Sequence, residues 1–154
     1  MTNRRIEIGA FSPLGRMTVV GRALAHPSRL RLLALLQAGE LCVCQTVAIL
    51  EQAASTVSGH LSELKRAGLV QERREGKLVF HRWADERTTR AFLKGVVARF
   101  AADPVVAEDL LLVERLRSID VGVLCAADLD LIAIGVRTGQ DRAYARPAVT
   151  RAKR

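Results

Sequence analysis

A short amphipathic helix followed at once by a two-strand hairpin constrains the fold more than any other feature of this chain. The helix is predicted over residues 55–67, where apolar side chains recur at helical spacing and Gly68 ends the pattern. Residues 69–74 and 78–83 are β-type runs on either side of a turn containing Gly76, which is a hairpin signal. The sequence therefore predicts a mainly α domain with a β-hairpin wing. The predicted buried stripe of the helix is Val57, Leu61 and Leu64.

A second predicted helix, over residues 44–51, completes a candidate reading head for DNA. The two helices and the hairpin together form a winged helix-turn-helix. Small polar side chains outside the buried stripe suit the major groove, and a basic hairpin tip suits the phosphate backbone. Two alternatives stay open, namely Ser55 as a helix cap and the tip as a solvated turn. The predicted DNA-binding residues are Ser55, Thr56, Ser58, Gly59, His60, Arg73, Arg74 and Lys77.

The charge of the chain points to a polyanionic partner. Its net charge is +8, and Lys and Arg side chains neutralise phosphates and release condensed counterions. Double-stranded DNA is the first candidate and a membrane surface the second. Because no apolar run reaches the roughly 18 residues of a membrane span, and no signal-peptide pattern is present, we expect a cytoplasmic protein without a membrane partner.

Amphipathic helices flank the predicted reading head on both sides. One begins near residue 14, and two more are predicted over residues 86–101 and 104–118. These helices carry more apolar side chains than one small domain covers, so we predict a homodimer formed through the N- and C-terminal helices. Dimerisation would also place two reading heads on one two-fold axis. The predicted organisation is a flexible arm over 1–13, a DNA-binding and dimerisation domain over 14–118, and an extension over 119–154 with Cys125 and a basic tail.

Cys42 and Cys44 lie at the start of the first reading-head helix. Three cysteines, an odd number, argue against a disulfide framework and for a reducing compartment where thiols bind metals or sense oxidants. Soft thiolates favour As(III), Sb(III), Cd(II), Pb(II) or Zn(II) over Mg(II) or Ca(II). The helix N-terminus should lower the thiol pKa. Side chains two apart on a regular helix diverge by about 200°, so both thiols reach one ion only where the backbone is not yet helical.

Four motifs together resemble the ArsR/SmtB family of metal-responsive repressors. The resemblance covers about residues 14–118. It implies a winged helix-turn-helix homodimer that binds an operator when ligand-free and is released when a thiophilic ion binds. It also implies that Cys42 and Cys44 are ligands, as in arsenic- and cadmium-sensing members. The motifs are Glu40-Leu41-Cys42-Val43-Cys44, Ser55-Thr56-Val57-Ser58-Gly59-His60-Leu61, Leu64-Lys65-Arg66-Ala67-Gly68-Leu69-Val70 and Arg74-Glu75-Gly76-Lys77.

The sequence departs from the family pattern at positions that bear on the ligand set. Val47 stands where arsenic repressors often place a third cysteine, and Gln45 replaces the Asp that commonly follows the cysteine pair. Residues 1–39 contain no cysteine, and residues 86–118 contain no His. Because two thiolates are too few for a tight closed site, we predict Cys125, from either protomer, as the third ligand of a trigonal thiolate site. The alternative is that Cys125 is a small buried apolar residue.

The resulting expectation is a metalloid-responsive transcriptional repressor that is not an enzyme and needs no organic cofactor. As(III) and Sb(III) are the first candidates for the inducer. One alternative is a repressor of the same fold that responds to Cd(II) or Pb(II). Another is a redox switch in which the cysteines oxidise to a disulfide. A thiol-dependent reductase or a metal-buffering protein is disfavoured, because neither has a use for the reading helix and the wing.

Overall fold

The computed structural model describes residues 12–138, which form a helical domain with a small antiparallel sheet. Residues 1–11 of the predicted arm and 139–154 of the predicted basic tail lie outside this range. Within it, no helix is long and apolar enough to cross a membrane. In chain order the elements are α1 (Pro13–Leu24), α2 (Pro27–Gln37), β1 (Leu41–Cys42), α3 (Val43–Leu50), α4 (Ala54–Arg66), β2 (Val70–Glu75), β3 (Leu78–Trp83), α5 (Arg87–Ala98), α6 (Pro104–Leu116) and α7 (Val121–Ala126).

Three helices begin with a proline directly after a capping side chain. Proline suits the first helical position because it has no N–H to donate, and the preceding side chain accepts a hydrogen bond from a first-turn N–H. The capping residues of α1, α2 and α6 are Ser12, His26 and Asp103. These local signals explain why α1 and α6 begin within a residue of the predicted starts.

The sheet has the strand order β1-β3-β2. Strands β2 and β3 form the predicted hairpin, and Gly76 in its turn has a φ of 57°, which glycine adopts without steric cost. Strand β1 has only two residues, too few to show an alternating pattern, and the sequence did not predict it. It pairs with β3 so that Cys42 lies opposite Phe80. The start of the thiol motif is therefore bonded to the wing through the backbone.

Helix α2 lies at the centre of the core. Its residues from Leu32 to Leu36 are all at most 2% exposed. The indole N–H of Trp83, at the end of β3, donates to the Leu33 carbonyl at 2.9 Å and joins the wing to this helix. Helix α4 packs on the same core through the predicted stripe of Val57, Leu61 and Leu64, each of which is at most 1% exposed.

A buried ion pair joins α2 to α6. The guanidinium of Arg31 donates two hydrogen bonds, of 2.7 and 2.8 Å, to the two carboxylate oxygens of Asp109. Asp109 is 2% exposed, and its burial raises the pKa of the carboxyl group although the charge and hydrogen bonds of Arg31 oppose the shift. The apolar pattern of α6 gave no reason to single out this acid.

Residues 121–137, named the C-terminal strap from here on, fold back across α3 and α6. The strap consists of α7 and the turns that follow it, and it buries Leu124, Leu131 and Val136. A guanidinium N–H of Arg115, on α6, donates to the Val136 carbonyl at 2.9 Å. The sequence did not predict α7, because the apolar pattern loosens after residue 119.

Candidate thiol site and nucleic-acid interface

The junction of β1 and α3 places the first two cysteines on different kinds of backbone. Cys42 is the N-cap of α3 with extended torsions (φ −70°, ψ 147°), whereas Cys44 is already helical. The backbone N–H of Cys42 donates to Oε1 of Gln45 at 2.8 Å, which is one half of a capping box. Gln45 thus has a structural role at this junction. The divergence of about 200° between side chains two apart on a helix does not apply to this pair.

The C-terminal strap brings Cys125 to the same junction within one protomer. Its thiol donates to Sγ of Cys44, with the two sulfur atoms 3.4 Å apart. Cys125 is exposed, Cys44 is half-buried and Cys42 is buried. The exposure of Cys125 contradicts the alternative that it is a small buried apolar residue.

The acidity of the Cys44 thiol is opposite to what the sequence predicts. Burial, with contributions from the neighbouring thiols of Cys125 and Cys42, raises the pKa of Cys44 to about 12. The expected lowering by the helix N-terminus was therefore wrong. A helix of eight residues does not compensate for removing the thiolate from water and facing it with two further sulfur atoms. At neutral pH this thiol keeps its proton until a ligand displaces it.

The three thiols do not form a preassembled metal centre. In residues 12–138, no group of three or more His, Cys, Asp or Glu side chains is arranged to hold a metal ion. Cys44 and Cys125 are adjacent at the surface of the junction, whereas Cys42 lies beneath it, 1% exposed. The structure therefore brings together two of the three predicted ligands and leaves the third as a neighbour below them.

A cavity of about 390 Å³ connects this junction to the reading helix and the wing. One wall is His81 of β3, which is 4% exposed, and burial lowers the pKa of its imidazole. Its Nδ1 has no hydrogen-bond partner among the described residues, and its Nε2 lies 3.7 Å from Glu72. Other residues lining the cavity include Cys42, Cys44, Ser58, Ser62 and Glu72.

Helix α4 presents most of the predicted base-reading residues to solvent. Ser55, Thr56, Ser58 and Gly59 are exposed. The N-cap of α4 is Ala53, so the alternative reading of Ser55 as a helix cap is wrong. His60 differs from the other four, because it is half-buried and its ring centroid lies 4.3 Å from that of His26. Burial and the neighbouring charges of His26 and Arg29 lower the pKa of His60, which favours the neutral ring.

Two residues of the exposed face were missed by sequence reasoning. Ser62 and Arg66 continue the line of Ser55 and Gly59 along α4, at spacings of three and four residues, and both are exposed. The signal was present in the sequence, since these positions lie opposite the buried stripe. The guanidinium of Arg66 is paired with Glu63, one turn earlier.

The basic side chains of the wing carry their own carboxylate partners. Arg73 lies 2.7 Å from Glu40 and 2.6 Å from Glu75, and its guanidinium stacks over Phe80 at 4.7 Å. Arg74 lies 3.1 Å from Glu72. Lys77 is exposed in the turn between β2 and β3.

An exposed helix that follows a short helix and precedes a basic hairpin defines a winged helix-turn-helix DNA-binding protein. Residues 26–72, which include α2, α3 and α4, match the family described as "Bacterial regulatory protein, arsR family". The chain belongs to the ArsR family and is a transcriptional regulator, not an enzyme.

Relatives extend this match beyond the helix-turn-helix. The arsenic resistance transcriptional regulator ArsR1 of Pseudomonas putida is 39% identical over 82 residues, which cover 51% of this chain and 64% of that protein. A cadmium resistance regulatory protein, the CadC homolog of Staphylococcus aureus, is 41% identical over 68 residues, or 44% of this chain and 56% of that protein. The structure of HlyU from Vibrio cholerae superposes with a TM-score of 0.53 and 30% identity, over 57% of this chain and 95% of that chain. The chain thus spans less than two thirds of each of the two curated regulators.

Proposed function

We propose that this chain is a homodimeric repressor that releases its operator when As(III) or Sb(III) binds the thiolates of Cys42, Cys44 and Cys125. The observation that carries the proposal is the distance of 3.4 Å between the sulfur atoms of Cys44 and Cys125, residues separated by 81 positions in the sequence. The similarity to an arsenic resistance regulator supports the class of inducer.

The two sulfur atoms lie close enough together for one soft ion to bind both. With metal–sulfur bonds of about 2.3 Å, two thiolates that share an ion lie roughly 3.4–3.8 Å apart, so the observed separation of 3.4 Å needs little change. The choice of As(III) or Sb(III) as inducer is supported by the similarity to the arsenic resistance regulator. Cd(II) and Pb(II) are the alternatives.

In the redox alternative, Cys44 and Cys125 would give up two electrons and two protons to hydrogen peroxide, which would form a disulfide and two molecules of water. Both functions use thiolates, so the raised pKa of Cys44 slows its oxidation and also lowers its affinity for an ion, which must displace the thiol proton. Addition of peroxide without an ion separates the two functions.

Release of DNA would follow from the position of Cys42. Because this thiol is buried beneath the other two, we expect that drawing it into the ligand set moves the β1–α3 junction. That junction is bonded to the wing through the pairing of Cys42 with Phe80, and α3 packs directly against α4. Ion and DNA would therefore favour different conformations, with a coupling free energy of typically about 1–3 kcal/mol.

For the DNA interface we propose that α4 enters the major groove and that the wing contacts the phosphate backbone. Exposure supports Ser55, Thr56, Ser58 and Gly59 as groove residues, whereas His60 has the weakest support because it packs on His26. Among the predicted phosphate contacts Lys77 has the strongest support and Arg73 the weakest, since two carboxylates hold Arg73. Arg74 is intermediate, since one carboxylate holds it.

The homodimer is proposed to form through α1 and α6. Leu14 and Met17 on α1 and Leu111 on α6 are 57–60% exposed, although large apolar side chains favour burial. Leu111→Glu should convert the dimer to a monomer in sedimentation experiments and weaken operator binding. A Leu111→Glu variant that sediments as the parent does would exclude this surface.

Operator-release titrations test the inducer assignment. As(III), Sb(III), Cd(II), Pb(II) and Zn(II) are added to the operator complex of the parent and of Cys42→Ser, Cys44→Ser and Cys125→Ser. We expect release at the lowest concentration with As(III) or Sb(III), one ion per protomer, and loss of release in each variant. Release by peroxide alone, reversed by a thiol reductant, would support the redox alternative instead.

A rescue variant separates a ligand role of Cys125 from a structural one. Val47 is buried on α3, one turn after Cys44. In a Cys125→Ser background, Val47→Cys should restore a third thiolate and with it release by As(III). Unchanged stoichiometry and normal release in Cys125→Ser would refute Cys125 as a ligand.

A further inference from the structure

The C-terminal strap contacts both ends of α3. At the first turn of this helix, Cys125 lies against Cys44. At the other end, Arg137 contacts Glu51, which is the C-cap of α3. Between these points the strap is anchored by the buried side chains of Leu131 and Val136. One segment therefore spans the helix that lies between the thiol pair and the turn into the reading helix.

Arg137 is a buried arginine held between two elements. It is 4% exposed, and its Nη1 lies 2.6 Å from Oε1 of Glu51, as an ion pair rather than an aligned hydrogen bond. Its Nη2 donates to Oε1 of Glu108, on α6, at 3.2 Å. A buried guanidinium is costly to desolvate unless carboxylates face it. The geometry thus connects the end of α3 to α6 through one side chain.

The backbone changes direction at Glu51. Its φ of 53° lies in the left-handed region, which a residue with a Cβ adopts at a cost. Only Gln52 and Ala53 separate it from the start of α4. A side chain that contacts Glu51 is therefore placed at the turn between the two helices of the reading head.

We propose that Arg137 is a positioning residue that couples ion binding to the reading helix, an inference that rests on the proposed function. The strap is fixed to α6 by Arg115 and Arg137. When the first turn of α3 is drawn toward Cys125, the far end of the helix pivots about the contact between Arg137 and Glu51. The movement at the thiols then rotates α4 relative to the dimer. Without this contact, α3 still shifts when the ion binds, but the turn after Glu51 adjusts by itself and α4 does not follow the shift.

The test compares ion binding with its effect on DNA. As(III) affinity is measured from thiolate charge-transfer absorption, and operator affinity is measured with and without As(III), for the parent, Arg137→Gln and Glu51→Gln. Coupling between sites is typically about 5- to 150-fold. We expect both variants to bind As(III) and free operator within about threefold of the parent, while the loss of operator affinity caused by As(III) falls to less than about threefold.

Controls separate this inference from the proposed function. Arg99→Gln, at an exposed arginine that follows α5, should retain parental coupling. In the double variant Arg137→Gln, Glu51→Gln, the loss of coupling should not exceed that of either single variant. If Arg137→Gln does not fold, Glu51→Gln alone decides, because its side chain is 43% exposed. Parental coupling in a folded single variant would overturn the role of Arg137, whereas a parent that no ion releases would overturn the proposed function.

Discussion

Replacing Arg31 with methionine tests whether the ion pair between Arg31 and Asp109 is what anchors α6 to α2. The substitution keeps the volume of the side chain and leaves Asp109, 2% exposed, without its counter-charge. Removing one partner of a buried pair typically costs about 3–5 kcal/mol. We expect the lower end, about 3 kcal/mol at neutral pH, because the side chain of Arg31 is 22% exposed and water screens part of the interaction.

The loss of stability in Arg31→Met should increase as pH rises. Burial already raises the pKa of Asp109, and removing the guanidinium raises it further. A carboxyl whose pKa is higher in the folded than in the unfolded state costs stability as pH rises from the unfolded to the folded pKa. The parent and the variant should therefore share this loss up to the pKa of Asp109 in the parent. Above it, the deficit of the variant relative to the parent should grow by about 1.4 kcal/mol per pH unit, until the higher pKa of Asp109 in the variant is passed.

Urea denaturation followed by circular dichroism, at one fixed protein concentration and at pH 4.5 and 7.5, measures both effects. At pH 7.5 the thermal midpoint should fall by roughly 10 °C. The double variant Arg31→Met, Asp109→Leu should recover most of the loss, because an apolar pair leaves no buried charge. A loss below about 1 kcal/mol at pH 7.5 in Arg31→Met, with no dependence on pH, would refute the reasoning.

Three further predictions concern single contacts. Leu61→Ala, which opens a cavity beneath the reading helix, should lower the free energy of unfolding by about 2–5 kcal/mol in urea titrations; a loss below 1 kcal/mol would contradict its burial. Gln45→Ala should cost about 1–2 kcal/mol and weaken As(III) binding, because the N–H of Cys42 loses its acceptor; calorimetry of As(III) binding checks the second part. Trp83→Phe should cost about 1 kcal/mol through the lost bond to the Leu33 carbonyl, and an unchanged thermal midpoint would argue against that bond.

Local signals were sufficient for the reading head. Gly68 and the apolar stripe of Val57, Leu61 and Leu64 specified α4, and the turn at Gly76 specified the hairpin. These features depend on neighbours in sequence, so periodicity and turn chemistry reveal them. Strand β1 was not predicted, because two residues cannot show an alternating pattern. Its pairing with β3 is a property of the tertiary fold.

The need for a third thiol predicted that Cys125 lies near the thiol pair, whereas the acidity of the pair was not predictable. The need for a third thiol pointed to Cys125, and the strap places this residue beside Cys44. The pKa of Cys44 could not be predicted, because burial and neighbouring sulfur atoms outweigh the helix terminus. The contact between Arg137 and Glu51 joins residues far apart in the sequence, and charge patterning within either segment gives no sign of it.

Both arginines of the wing are paired with carboxylates of the same chain. Glu40, Glu75 and Glu72 are already paired with Arg73 and Arg74, so a phosphate must compete with these carboxylates before either arginine can neutralise it and release its counterion. The salt dependence of operator binding should therefore be shallower than the number of basic side chains suggests, and Lys77→Ala should reduce its slope by about one. A regulator built this way should bind non-specific DNA weakly. It would dissociate quickly from wrong sites and depend on the fit of α4 to remain on the right one.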